Sequence, residues 1–350
     1  MGKRQNLSGL ARFVKDAFAQ PEEESTKPQQ ATASLNNSSI GKTRKASQLE
    51  EDEPVQKSNK KRKIGLLGPG WESYDATGLV PRYTHASQVP EQLVKYFHQR
   101  HRYFSLYDEG CLLDEVGWYS VTPEGIATQI AERCRCATIL DAFCGVGGNA
   151  IAFAQTCERV IALDTSPVRL ALARHNAAIY GVVDRIEFIL GDYLSFARSY
   201  LSTPHKQRKI DVVFLSPPWG GPDYISGDSS PSTNEKGKAR ASLDDSLEYI
   251  AHPEFNLSSI QPVHGAELFK LSRQITPNIA YFLPRNSNLE EISQMLVDDT
   301  KEKAPQIGQK KRRKGGEMVE VEEEWIGKKL KAITCYFGGL AQGQEDMFEG

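Results

Sequence analysis

The chain has 350 residues, 39% of them hydrophobic, with a formal net charge of −2; its mean hydropathy is −0.48. No apolar run approaches the ~18 residues of a membrane span, the N-terminus lacks the apolar core of a secretory signal, and the near-zero charge provides no global basic field for nucleic acid. The six cysteines are scattered without a CxxC pair, and Cys134 and Cys136 are too isolated for a zinc site, so no metal is expected and a reducing intracellular compartment fits best.

Residues 1–63 are rich in Gln, Ser, Lys, Glu and Asn, and too poor in apolar side chains to join a core, so a disordered tail is expected. Within it, Leu7, Leu10, Phe13, Val14 and Phe18 share one side of a short amphipathic helix, a segment fit for a protein partner. Lys60-Lys61-Arg62-Lys63 reads equally as a solvated charge run, a nuclear import signal or an RNA contact. The composition shifts at Ile64. Pro90–Arg102 places Leu93, Tyr96, Phe97 and Arg100 on one face of a predicted helix. Bases and rings interleave from Arg82 to Tyr107, which serves stacking on nucleobases and pairing with phosphates, packing onto the main domain, or both at once. Thr122-Pro123-Glu124 reads as a helix start, with a hydroxyl cap and Pro in first position, running to about Arg133. Residues 64–136 are thus expected to be a helical extension.

Strands and helices then alternate. Ala137–Phe143 is a buried strand that runs into Cys144-Gly145-Val146-Gly147-Gly148-Asn149 and an apolar helix, Ala150–Thr156. A strand, a glycine turn and a helix form a nucleotide-type site in which the backbone approaches a ligand closely. The turn is not GxGxxG and has no P-loop Lys, so a pyrophosphate is not indicated. Arg159–Asp164 is a second strand, ending in an acid placed to accept two ribose hydroxyls. A helix over Pro167–Tyr180 and a strand over Arg185–Leu190 follow, then Asp192, an acid fit for an adenine amino group. Asp211–Leu215 is a fourth buried strand, and Ser216-Pro217-Pro218-Trp219 leaves it as a stiff, extended loop. Residues 227–245 and 301–316 are low-complexity insertions, the second carrying the basic cluster Lys310–Lys314. A helix is expected over Gly265–Ile275, a strand over Ile279–Leu283, a helix over Leu289–Val297, and a hairpin from Val319–Ile326 and Leu330–Phe337. The pattern predicts an α/β fold over 137–340: a doubly wound, mostly parallel, seven-stranded Rossmann-like sheet, followed by a tail at 341–350.

A glycine turn after strand one and acids after strands two and three describe an adenosyl ligand without phosphates, which S-adenosylmethionine fits better than NAD. The Pro-Pro-aromatic loop then faces a sulfonium methyl. The Ser216 hydroxyl and Pro217 carbonyl are placed to accept amino hydrogens and aim a nitrogen lone pair, a positioning task.

The stretches DAFCGVGGNAIAFA (141–154), ALDTSPVRLALARHNAAIYG (162–181), IEFILGDYL (186–194), FLSPPWGGPDY (214–224) and YFLPRN (281–286) resemble the trimethylguanosine synthase family of RNA cap methyltransferases, as does RYFSLYDEG…GWYSVTPE (102–124). The resemblance covers about Arg82–Gly339. It implies a Rossmann-like methyltransferase that uses two S-adenosylmethionines to convert the 7-methylguanosine cap of small nuclear and nucleolar RNAs to the 2,2,7-trimethyl form. It also implies a nuclear location, with nucleolar or cytoplasmic pools, ribonucleoprotein partners at the N-terminal tail, and no DNA or membrane partner. By the same resemblance, Asp141, Phe143, Asp164 and the turn with Gly145 and Gly147 hold the cofactor, with Asp192 near the adenine. Ser216, Pro217 and Trp219 carry the chemistry, Trp219 stacking on the methylated guanine with Asn176 near its edge. Lys95 and Arg285 face the cap phosphates. Phe104 and Thr122 close the pocket, on the substrate and cofactor sides respectively. The chain departs from the family pattern in its two insertions and short N-terminal region. An adenine-N6 or glutamine-amide methyltransferase and a catalytically idle cap-binding module are the competing readings; Ser216 stands where the first two have Asn or Asp, and the intact cofactor turn weighs against the third.

Overall fold

Strands covered on both faces need near-continuous apolar runs, and five runs in this chain form a parallel sheet. In a computed structural model the described residues are 65–220, 254–303 and 316–349. The expected helix at 7–18, the basic clusters at 60–63 and 310–314, and the 227–245 insertion lie outside them. The strands are β1 (Thr138–Asp141), β2 (Arg159–Asp164), β3 (Ile186–Leu190), β4 (Val212–Leu215), β5 (Ile279–Pro284), β6 (Glu320–Ile326) and β7 (Lys329–Tyr336). They lie in the order β3-β2-β1-β4-β5-β7-β6. β1 to β5 are mutually parallel, and β7 runs antiparallel between β5 and β6. The order reverses between β1 and β4, and a crevice opens at the carboxyl ends beside such a reversal.

The helices, in chain order, are α1 (Val94–Phe97), α2 (Arg100–Tyr103), α3 (Glu115–Ser120), α4 (Glu124–Arg133), α5 (Gly148–Thr156), α6 (Pro167–Ile179), α7 (Tyr193–Ser202), α8 (Gly265–Ser272) and α9 (Leu289–Lys303). Every residue of β1, β4 and β5 is buried. Phe214 sits at the centre, its ring 5.1 Å from Phe153 on α5 and 6.4 Å from Phe282 on β5. Truncating a side chain so placed to Ala typically costs ~3–5 kcal/mol.

The expected helix over 90–102 is broken at His98–Gln99. Trp118 explains the break: the rings of Phe97, Tyr103 and Tyr107 lie 6.3, 6.5 and 5.6 Å from it. A continuous helix would turn Phe97 and Tyr103 about 120° apart, and both could not face one indole. Phe97, Phe104 and Tyr107 are therefore core residues, 2–3% exposed, and for them packing prevails over nucleobase stacking. Thr122 does not cap α4, whose N-cap is Pro123 without a side-chain bond. Helix α9 extends to Lys303, into the expected 301–316 insertion. Two helices escaped the sequence reading. The first is α3, capped by Asp114, and the second is α7, capped by Asp192.

Candidate active site

Because β1 to β5 are parallel, their carboxyl ends and the loops that follow share one edge. Asp141 pairs in register with Ala162 on one side and Phe214 on the other. The glycine turn, Asp164 and the Ser216 loop are consequently neighbours, although far apart in sequence. Gly145 has φ 52° and Gly147 φ 92°. Both angles are disfavoured for residues with a Cβ. A Cβ on Gly147 would stand 3.1 Å from the Ala173 backbone, so this glycine lets α5 lie close to α6. A Cβ on Gly145 would meet nothing within 4 Å, so the turn faces open space there.

Asp141 is fully buried. Its Oδ1 accepts the Phe143 amide at 3.4 Å, and among the described residues its Oδ2 has no hydrogen-bond partner. Burial, reinforced by the Asp164 charge, pushes its pKa up to about 7. Asp164 Oδ2 accepts the Gly145 amide at 3.0 Å, and Oδ1 accepts the Ser166 amide at 2.8 Å. This half-buried carboxylate therefore shapes the glycine turn and keeps further lone pairs on both oxygens. Asp192 caps α7 through Oδ2, which accepts the Ser195 amide at 2.8 Å. Phe143 lies 5.7 Å from Tyr193. A buried acceptor without a partner, a turn open to solvent and two further carboxylates along one edge fit a cationic adenosyl cofactor.

The Ser216 loop leaves β4 with Ser216 half-buried, Pro217 buried and Pro218 exposed. The Pro218 carbonyl accepts the Gln261 amide at 3.3 Å, which ties the loop to the segment before α8. Trp219 is half-buried, and its ring lies 5.3 Å from that of Phe282 at 33°. Phe282, two positions before Pro284 in β5, backs this indole and was not singled out from the sequence.

The structure places three of the expected site residues in the core. Asn176 is fully buried. Its Oδ1 accepts the Leu112 amide at 2.8 Å, and its Nδ2 donates to the Leu112 carbonyl at 3.0 Å and the Val146 carbonyl at 2.9 Å. With both amide hydrogens used, it clamps the N-terminal extension to the glycine turn. Phe104 is 2% exposed against Tyr180, a core position rather than a pocket wall. The Thr122 hydroxyl, 3% exposed as a residue, accepts from Asn149 Nδ2 at 2.9 Å. It braces the first turn of α5 from behind, and Asn149, unsingled in the sequence, has a buried Oδ1 without a partner.

A basic rim completes the edge. Arg285 follows β5 and donates from Nη1 to the Leu330 carbonyl at 3.3 Å. The antiparallel return of β7 brings Lys329 and Lys331 to the same end. Burial, with the charges of Lys329, Arg285 and Arg102, lowers the Lys331 pKa. Among the described residues no carboxylate pairs with any of these four cations, an arrangement that favours an anion. Arg102 lies in the interleaved stretch singled out from the sequence, whereas Lys329 and Lys331 gave no local signal, because the hairpin and α2 meet only in the folded chain. Lys95 is exposed on α1, with Nζ 4.9 Å over the Tyr96 ring.

A family model described as RNA cap guanine-N2 methyltransferase matches residues 136–234 and 246–340. The trimethylguanosine synthase of Schizosaccharomyces pombe is 37% identical over 233 residues, covering 63% of this chain and 83% of that protein. The trimethylguanosine synthase of Saccharomyces cerevisiae is 34% identical over 212 residues, covering 58% of each. The release factor glutamine methyltransferase of Cereibacter sphaeroides is 35% identical over 93 residues, only 25% of this chain and 30% of its own.

Proposed function

The chain belongs to the RNA cap guanine-N2 methyltransferase family, and from that membership we propose the roles of its individual residues and its RNA substrates. It is an S-adenosylmethionine-dependent enzyme that methylates the exocyclic N2 of a 7-methylguanosine cap, and two rounds give the 2,2,7-trimethyl form. The cofactor supplies an electrophilic methyl on a sulfonium. In the proposed site, the Asp141 and Asp164 carboxyl groups would complement its positive charge and ribose hydroxyls, the Gly145–Gly148 backbone would lie against it, and Asp192 would meet the adenine amino group. Phe143 packs beside Tyr193 at the same edge.

Ser216 Oγ and the Pro217 carbonyl accept the two N2 hydrogens and turn the nitrogen lone pair toward the methyl. That orientation would suit an in-line attack, and the proton lost from the methylated nitrogen would leave to solvent. In the second round one N–H remains, and one acceptor suffices to orient it. Trp219, supported by Phe282, stacks on the cationic 7-methylguanine. Lys95 and Arg285, with Arg102, Lys329 and Lys331 along the rim, neutralise the phosphates. The observation that carries this reading is the common edge itself: Asp141, the Ser216 loop and the cations of the β5–β7 end stand side by side. The glutamine-amide alternative finds similarity over a quarter of the chain only.

Small nuclear and nucleolar RNAs are the proposed substrates, in a nuclear setting, with the tail at 1–63 serving ribonucleoprotein partners. The test combines the purified chain, S-adenosylmethionine and a 7-methylguanosine-capped dinucleotide, with products read by mass. One- and two-methyl increments on the guanine are expected. No increment on the cap, with turnover on a glutamine peptide or an adenine-containing oligonucleotide, refutes the assignment.

A further inference from the structure

At the opposite, amino-terminal edge of the sheet, two thiols face each other. Cys136 precedes β1 and Cys157 precedes β2, and their sulfurs are 3.8 Å apart. The register places them in line. Thr138 pairs with Arg159, and two residues back on each parallel strand Cys136 stands beside Cys157. The Cys136 carbonyl accepts the Glu158 amide at 3.4 Å, and the Ala137 carbonyl accepts the Arg159 amide at 2.9 Å, so backbone hydrogen bonds fix the spacing. Neighbouring strands lie ~4.8 Å apart, within the ~4.4–6.8 Å that a disulfide spans between Cα atoms. Closing the sulfurs to ~2.05 Å then needs side-chain rotation, not backbone movement. Cys136 is half-buried, and Cys157 is 4% exposed.

We propose that Cys136 and Cys157 are a peroxide-sensitive thiol pair that closes to a reversible disulfide across the base of β1 and β2. The Cys136 S–H donates to the Cys157 sulfur, which lowers the Cys157 pKa and makes it the nucleophile. The Cys157 thiolate attacks one oxygen of hydrogen peroxide and the O–O bond breaks. This leaves a sulfenic acid on Cys157 and a hydroxide, which takes the Cys136 proton and becomes water. The Cys136 thiolate then attacks the Cys157 sulfur and expels the remaining hydroxide, which a solvent proton converts to the second water; that proton replaces the one lost when the Cys157 thiolate formed. Two thiols and one peroxide become one disulfide and two waters, with two electrons passing to the peroxide. A dithiol reverses the bond.

The loop closed between these residues contains Asp141, the glycine turn and α5. Oxidation therefore pins the segment that shapes the cofactor edge without touching that edge. A disulfide closing a loop of about 20 residues restricts the unfolded chain, and the thermal midpoint should rise by about 5–10 °C.

The experiment treats the full chain with hydrogen peroxide, alkylates remaining thiols and maps peptides without reduction. The expected product links Cys136 to Cys157 and leaves Cys111, Cys134, Cys144 and Cys335 alkylated after unfolding. The midpoint rise should disappear with dithiothreitol and in Cys136→Ser, and persist in Cys134→Ser. Recovery of Cys136 and Cys157 as alkylated thiols while other cysteines are oxidised, or a midpoint rise that survives Cys136→Ser, overturns the proposal.

Discussion

Replacing Asn176 with Ala separates the two readings of this residue, substrate contact and internal clamp. The amide makes three buried hydrogen bonds, one from the Leu112 amide and two to the Leu112 and Val146 carbonyls. Removing it leaves one donor and two acceptors without partners, each costing ~1–3 kcal/mol. The three share one side chain and their costs do not add fully, so a total loss of about 3–5 kcal/mol is expected. For a domain of this size that is a fall in the thermal midpoint of about 10–15 °C. The Val146 carbonyl belongs to the glycine turn, so affinity for S-adenosylhomocysteine should fall as well. Scanning calorimetry with and without the product cofactor measures both effects. Asn176→Asp is the matched variant: it retains an acceptor for the Leu112 amide but opposes two carbonyls with an acid, and should be no more stable than the Ala variant. A wild-type midpoint accompanied by a raised KM for capped dinucleotide would refute the clamp and restore Asn176 to the guanine edge.

Asp164→Ala should weaken S-adenosylhomocysteine binding by roughly 1–3 kcal/mol in calorimetry. It should also loosen the glycine turn, because the Gly145 and Ser166 amides lose their acceptor; unchanged affinity would remove Asp164 from the cofactor site. Asp141 gives a pH dependence. Its carboxyl is held at about 7 by burial and by Asp164, and a cationic cofactor favours the ionised form. Affinity should therefore rise, with proton release on binding, as pH increases through about 7. The free protein shows the opposite sign, since the unfolded carboxyl ionises near 4 and Asp141's contribution to stability declines between about 4 and 7. Binding that is flat across this range in buffers of different ionisation enthalpy would refute the assignment. Trp219→Ala should lose most turnover and Trp219→Phe retain part. With wild-type enzyme, a cation–π contribution of ~0.5–2 kcal/mol gives up to ~30-fold preference for a 7-methylated over an unmethylated capped dinucleotide in competition; equal rates would refute the stacking account. A chain beginning at Ile64 should retain turnover on a capped dinucleotide, and loss of activity in a folded truncation would place residues 1–63 in the site.

The parallel strands were legible in the sequence because their cause is local. Runs such as Val212–Leu215 are apolar throughout, and glycines or prolines end them. The glycine turn after β1, the acids after β2 and β3 and the loop after β4 could therefore be placed on one edge from the sequence. What tertiary structure alone decided concerns pairs distant in the chain. Asn176, placed near the guanine edge by the family resemblance, is a clamp because Leu112 and Val146 meet it. Thr122, read as a helix cap from its neighbour Pro123, turns inward because Asn149 offers a buried donor. The break between α1 and α2 follows from Trp118, a residue outside that helix. Phe282 beneath Trp219, the rim of Arg102, Arg285, Lys329 and Lys331, and the facing thiols of Cys136 and Cys157 arise where strands or helices are laid side by side. Periodicity reports which face of an element is apolar; the partner of a polar side chain on that face is set by sheet order and register, which exist only once the chain has folded.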